Sequence, residues 1–139
     1  MKTQHLLSLA ILALAVFPGH ALETALTEPE HAGLPHAFNA GWNGKQTCEV
    51  LFEDENTRVG RCIFPPGVGH EKHYHNPHFG YVLEGGTLSI TDHSGKREVT
   101  TRAGGTWSTS TVTIHEAVNT GQTTTSYLIV ELRTPQKNP

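Results

Sequence analysis

Four histidines, His70, His73, His75 and His78, fall within the segment Gly67-Val68-Gly69-His70-Glu71-Lys72-His73-Tyr74-His75-Asn76-Pro77-His78. Neutral imidazole is a good ligand for zinc, copper, iron and nickel, through either ring nitrogen. In a β-strand, residues two apart point to one face, so His73-x-His75 sets two imidazoles side by side with nitrogens able to converge on one ion. An isolated His-x-His also occurs as two exposed histidines on an edge strand. Here the pair has company, because His115 opens another predicted strand, with Asn119 four positions on and on the same face. The chemistry this pattern suggests is metal chelation. No Ser-His-Asp arrangement, phosphate-binding loop or pair of carboxylates competes with it.

Those side chains need rigid elements to hold them. From Gln46 onward the sequence is a series of short β-branched and apolar runs between turn residues, rich in threonine and without a sustained helical period. Strands are predicted at 47–52 and 58–64, through the His73-x-His75 segment, and at 79–83, 87–91, 96–101, 106–110, 114–119 and 123–132. Glu84-Gly85-Gly86 and Asp92-His93-Ser94-Gly95 both read as hairpin breaks. The fold class is all-β, a sandwich, a jelly roll or a small barrel. Tyr74 should point away from the metal, and Glu116 away from the face of His115. Phe64, Phe79, Tyr81 and Trp107 read as core or pocket wall. His70 reads as a solvated loop residue, with a place at the mouth of the site as the alternative. Glu71 and Lys72 read as its exposed neighbours, and Asn119 as a structural residue at the barrel end.

The chain has 139 residues, 17% of them charged, and a formal net charge of −3, enough for one domain with its own core. Lysine and arginine are scattered, so there is no basic stripe for a nucleic acid. Residues 1–21 read as an export signal: Lys2 supplies the positive start, 6–17 an apolar run, and Pro18-Gly19-His20-Ala21 a breaker and small-residue cleavage site near Ala21. The apolar run is too short to cross a bilayer of roughly 30 Å as a helix. The expected location is therefore periplasmic or secreted. Residues 22–45 follow as an extended N-terminal arm in which His31 and His36 read as solvated, 46–132 as the β-domain and 133–139 as a tail. In an oxidising compartment Cys48 and Cys62 invite a disulfide. Pairing Phe52 with Arg58 around the turn Glu53-Asp54-Glu55-Asn56-Thr57 would set the cysteines opposite each other, and closing that loop would contribute about 3 kcal/mol. Two buried thiols on neighbouring strands are the alternative.

These residues resemble the cupins, whose β-barrels share two motifs. In the first, Gly67 precedes His73-x-His75 with five residues between, and Tyr81-Val82-Leu83-Glu84-Gly85 resembles the turn out of the following strand. In the second, Gly104, His115 and Asn119 match in spacing, while Ser110 and Val112 stand where the family has Pro and Gly. The resemblance spans 46–131 and implies a single cupin-type jelly-roll barrel in which His73, His75 and His115 are metal ligands. The family's glutamate ligand is missing from its usual place. Counting back from Gly85 across six intervening residues puts His78 there, a candidate fourth ligand in a family with both three-His and four-His sites. A site without a carboxylate would keep the full positive charge of its ion and favour an anionic substrate.

The resemblance implies one divalent transition metal, Zn, Cu, Ni, Mn or Fe, as cofactor and a small molecule as partner. It admits a homodimer, which is common in the family. Two readings of function follow. One is an exported metalloenzyme of the dioxygenase or isomerase kind. The other is a non-catalytic cupin that binds a small molecule or sequesters metal. Neither a membrane nor a nucleic acid is expected as partner.

Overall fold

The structure is a computed structural model that describes residues 31–133. The expected signal segment, the start of the arm and 134–139 of the tail lie outside the described residues. Alternation of inward and outward side chains builds eleven strands: β1 (Gly41–Trp42), β2 (Lys45–Gln46), β3 (Cys48–Glu53), β4 (Thr57–Phe64), β5 (Gly69–His75), β6 (His78–Glu84), β7 (Thr87–Asp92), β8 (Gly95–Thr100), β9 (Thr106–Thr109), β10 (Thr113–Asn119) and β11 (Thr125–Leu132). There is no helix among the described residues, as the missing helical period implies. Two antiparallel sheets face each other, a five-stranded one in the order β3-β4-β11-β6-β9 and a four-stranded one in the order β5-β10-β7-β8, with β1 and β2 as a separate short pair.

Between the sheets, Cys62 and Phe64 of β4, Tyr127 and Ile129 of β11 and Leu88 of β7 form the core with Cys48 and with Phe38 from the arm. Each large apolar side chain so buried contributes roughly 1.5–3 kcal/mol. Phe38 explains a glycine in the middle of β4: a Cβ on Gly60 would lie 2.0 Å from its ring. Gly80 of β6 makes similar room for Trp107, 2.1 Å from the place a Cβ would take. Asn119, 1% exposed, has the structural role expected of it. Its Nδ2 donates to the carbonyls of Phe64 (2.7 Å) and Thr123 (2.8 Å), and its Oδ1 accepts from the Gly121 N–H (2.9 Å), tying the end of β4 to the β10–β11 connection at one end of the barrel.

Three expectations change. Glu84-Gly85-Gly86 is a crossing rather than a hairpin, because β6 pairs with β11 and β9 whereas β7 pairs with β10 and β8. The chain passes there from one sheet to the other, and a Cβ on Gly85 would sit 2.5 Å from the Thr101 carbonyl oxygen. The Asp92-His93-Ser94-Gly95 break is a hairpin as read. In the β3–β4 ladder, Phe52 faces Val59 and Glu53 faces Arg58, since a bulge between Val50 and Phe52 adds one residue near the turn. Beyond the bulge Cys48 still faces Cys62, and the two are bridged. Phe79 and Tyr81 are 44% and 41% exposed and lie on the outer face of the five-stranded sheet, since the inward parity of β6 belongs to His78, Gly80 and Val82.

The bridge links cysteines 14 positions apart. Replacing both in a Cys48→Ser/Cys62→Ser chain should therefore lower the unfolding free energy by about 3 kcal/mol in a denaturant titration. The unreduced, unfolded chain should show no reactive thiol; two thiols per chain before reduction would contradict the pairing.

Candidate metal centre

Strand β5 turns His73 and His75 inward, 0% and 3% exposed, while Tyr74 between them packs outward against His31 and His36 of the arm. Antiparallel to β5 runs β10, and its His115 is the Cα partner of His73. The three rings meet with centroids 4.7 Å apart for His73 and His75, 4.7 Å for His73 and His115, and 5.2 Å for His75 and His115. One nitrogen from each lies within 4.8 Å of the other two. The trio expected from the sequence is thus brought to one point.

His70 is not solvated. It is 1% exposed, its ring centroid lies 3.9 Å from that of His73, and its Nε2 is 3.8 Å from Cys48 Sγ. Three positions separate it from His73, which in a regular strand would turn it outward. The pairing of β10 with β5 shifts register between His115 and Ala117, so β5 carries an extra residue there. Glu71 and Lys72 consequently both face solvent, as expected, and His70 returns to the inner face.

His78 begins β6, 7% exposed, with its ring 4.6 Å from that of His75. It stands beside the trio rather than within it. Its Nδ1–H donates to the Asn76 carbonyl (2.8 Å), and its Nε2 accepts from the Trp107 indole N–H (3.3 Å). Opposite His78 in the β6–β11 ladder is Glu131, 1% exposed, a residue that the motif spacing did not find. Its Oε1 accepts from His75 Nδ1–H (3.1 Å) and from the Asn76 N–H (3.1 Å), and its Oε2 pairs with His36 Nε2. A signal for Glu131 was available: Thr125, Tyr127, Ile129 and Glu131 share the inward parity of β11. The site therefore has a buried carboxylate directly behind one of its histidines, and the full uncompensated charge expected of an ion there is moderated. His36 is correspondingly partly buried rather than solvated, its side chain 10% exposed.

The partners fix where the ring protons sit. A carbonyl or carboxylate oxygen only accepts, so Nδ1 of His73, 2.6 Å from the Glu71 carbonyl, carries its proton, as does Nδ1 of His75. In the neutral rings both Nε2 atoms then hold lone pairs, and these face each other at 2.9 Å. Burial, and then the neighbouring rings, push both histidines far below the usual imidazole range. His115 and His70 are pushed down to about 4, mainly by burial. Burial also lowers His78, against the opposing pull of the Asn76 carbonyl and the Glu131 charge. Two converging lone pairs on neutral, oriented rings, with a third imidazole beside them, fit a divalent cation of borderline softness.

Two cavities share His78, His115, Trp107, Ile90 and Arg97 in their walls. One, of about 470 Å³, lies inside the barrel between Val82, Leu88, Tyr127 and Ile129, with Arg102 also in its lining. The other, of about 660 Å³, is bordered by Lys72, Asp92 and Glu116. The Tyr127 hydroxyl is held protonated by burial.

No protein-family model and no curated protein matches the sequence. Among solved structures, the chain is similar to a cupin domain from Bordetella pertussis Tohama I, at 19% identity over 63% of this chain and 92% of that one, with a TM-score of 0.59. It is also similar to a double-stranded β-helix domain protein from Klebsiella pneumoniae, at 17% identity over 65% and 78% of the two chains, with a TM-score of 0.50. The architecture is a double-stranded antiparallel β-helix closed around a histidine cluster. It is the cupin fold, as the two sequence motifs implied.

Because His70 and His115 bind protons only near pH 4 when folded, but near 6.5 when unfolded, the unfolded chain takes up more protons between those values. The metal-free protein should be fully stable above about pH 6.5 and lose stability as the pH falls toward about 4, by up to about 1.4 kcal/mol per pH unit for each ring. Urea unfolding at several pH values tests this; a flat profile across the window would contradict it.

Proposed function

We propose that this chain is an exported cupin that holds one divalent transition metal, Zn, Cu, Ni, Mn or Fe, on His73, His75 and His115, and acts as a small-molecule metalloenzyme of the dioxygenase or isomerase kind. The observation that carries the reading is the 2.9 Å approach of two Nε2 lone pairs whose Nδ1 protons are already committed elsewhere. A divalent ion so held would supply Lewis acidity and open coordination positions to a substrate.

The chain's own residues do the rest. Val82, Leu88 and Ile129 wall the inner cavity and keep bulk water from the histidines, which strengthens every electrostatic contact made there. Arg102 in the same wall favours a ligand with an anionic group, whereas the charge of Arg97 is already paired with Asp92. His78 stays next to the centre with its lone pair turned to Trp107, so the three-histidine set leaves room for a ligand rather than closing the coordination shell. That openness favours an enzyme over a storage or purely structural site. Export is supported by the Cys48–Cys62 bridge, which belongs in an oxidising compartment.

Elemental mass spectrometry of the untagged protein should find about one metal per chain, lost in His115→Ala while the β-sheet spectrum is retained. Stoichiometric metal in that variant would overturn the assignment. His78→Ala should leave about one metal per chain at near wild-type affinity, since its Nε2 is engaged by Trp107, and a loss of about tenfold or more would add His78 to the ligand set.

A further inference from the structure

His36 belongs to neither cupin motif and comes from the segment ahead of the barrel. Its neighbours clamp that segment along β5: the Ala37 N–H donates to the Tyr74 carbonyl (2.9 Å), the Tyr74 N–H donates to the Pro35 carbonyl (3.1 Å), and His36 forms a parallel bridge with Tyr74. Tyr74 stands between His73 and His75, so the arm is anchored to the strand that presents both.

The side chain of His36 has its proton placed by its surroundings. Its Nδ1 accepts from the Phe38 N–H (3.3 Å) and faces Arg58 Nη1 at 3.3 Å, both of them donors. The ring proton of the neutral imidazole is therefore on Nε2, which meets Glu131 Oε2. The other oxygen of the same carboxylate takes the Nδ1–H of His75. A chain of directional bonds thus runs from the arm, through one buried carboxylate, to one member of the histidine trio.

We propose that His36 is a positioning residue of the three-histidine centre, acting through Glu131 to keep the His75 proton on Nδ1 and its Nε2 lone pair turned toward His73 and His115. The proposal rests on the metal reading given above. Glu131 is 1% exposed, so water does not replace a lost partner, and without His36 its carboxylate keeps His75 and the Asn76 N–H on Oε1 but loses the contact that fixes Oε2, so its plane is no longer set from both sides. The acceptor that selects the His75 tautomer would then be less firmly fixed, and a ring with its proton on Nε2 has its lone pair on Nδ1, turned toward Glu131 and away from His73 and His115. Outer partners of ligating histidines act in this way by orienting the ring and raising its basicity.

The test compares wild type with His36→Phe, which keeps an aromatic ring beside Phe38 and Tyr74 but offers no N–H, and with His36→Gln, which retains a donor. His36→Leu replaces the phenylalanine variant if that chain does not fold, and thermal melting of every variant confirms the fold. Cobalt(II) affinity, measured by competition with a chromogenic chelator, should fall about 10–100-fold in His36→Phe and recover most of that loss in His36→Gln. Imidazole nitrogen NMR of the metal-free proteins should show His75 protonated at Nδ1 in wild type and His36→Gln, and a mixture of tautomers in His36→Phe. Equal cobalt affinity in wild type and His36→Phe, or an unmoved His75 tautomer, overturns the proposal and leaves the metal reading standing. A wild-type chain that takes up no cobalt while His75 keeps its Nδ1 proton overturns the metal reading, and this role with it.

Discussion

Across the β5–β10 ladder His115 faces His73, and that register decides where the chemistry of the molecule can be. Side chains alternate with a period of two, so slipping the pair by one residue would send one member of the trio to the outer face and leave no cluster. The register is held from both ends. At the far end, Asn119 ties the last residue of β10 to the carbonyls of Phe64 and Thr123. At the near end, the arm hydrogen-bonds to Tyr74 on the opposite edge of β5. Between them, the extra residue of β5 places Glu71 and Lys72 in solvent and returns His70 to the interior without moving His73.

Packing this many imidazoles inside a small barrel is electrostatically tolerable only if they remain neutral, because each charged ring would lose its hydration and repel the others. The structure meets that condition by giving the Nδ1 protons fixed acceptors: the Glu71 carbonyl for His73, the Glu131 carboxylate for His75 and the Asn76 carbonyl for His78. Neutrality and tautomer are thus set by the backbone and one acidic side chain, and the lone pairs point inward as a result. The same arrangement makes Glu131 the one buried acidic side chain among the described residues, with Arg58 close to His36 at the outer end of the chain of bonds. A ligand entering between Val82, Leu88 and Ile129 would meet an apolar wall along its length and polar groups where the histidines and arginines stand.

Much of this was legible in the residues themselves. The strands, the facing cysteines and the three converging histidines all follow from local patterns: turn residues, a hairpin register and a two-residue period combined with two spaced motifs. What was not legible depends on contacts distant in the chain. His70 was misplaced because a bulge cancels the parity that three residues of strand would give. Glu84-Gly85-Gly86 has the composition of a hairpin turn, and only the pairing of β6 with β11 shows that it carries the chain between sheets. Phe79 and Tyr81 are apolar yet lie outside, since β6 gives its inward positions to His78, Gly80 and Val82. Glu131 and His36 are separated from His75 by 56 and 39 positions, so no local pattern links them, although the inward parity of β11 singles out the glutamate.

The central claim is that three neutral imidazoles of this barrel share one divalent cation, and X-ray absorption of the zinc-loaded protein reads that shell directly. The account predicts at least three imidazole nitrogens at about 2.0–2.1 Å, with any remaining positions filled by light atoms from solvent. A shell built on sulfur, or on oxygen with fewer than three imidazoles, would contradict it.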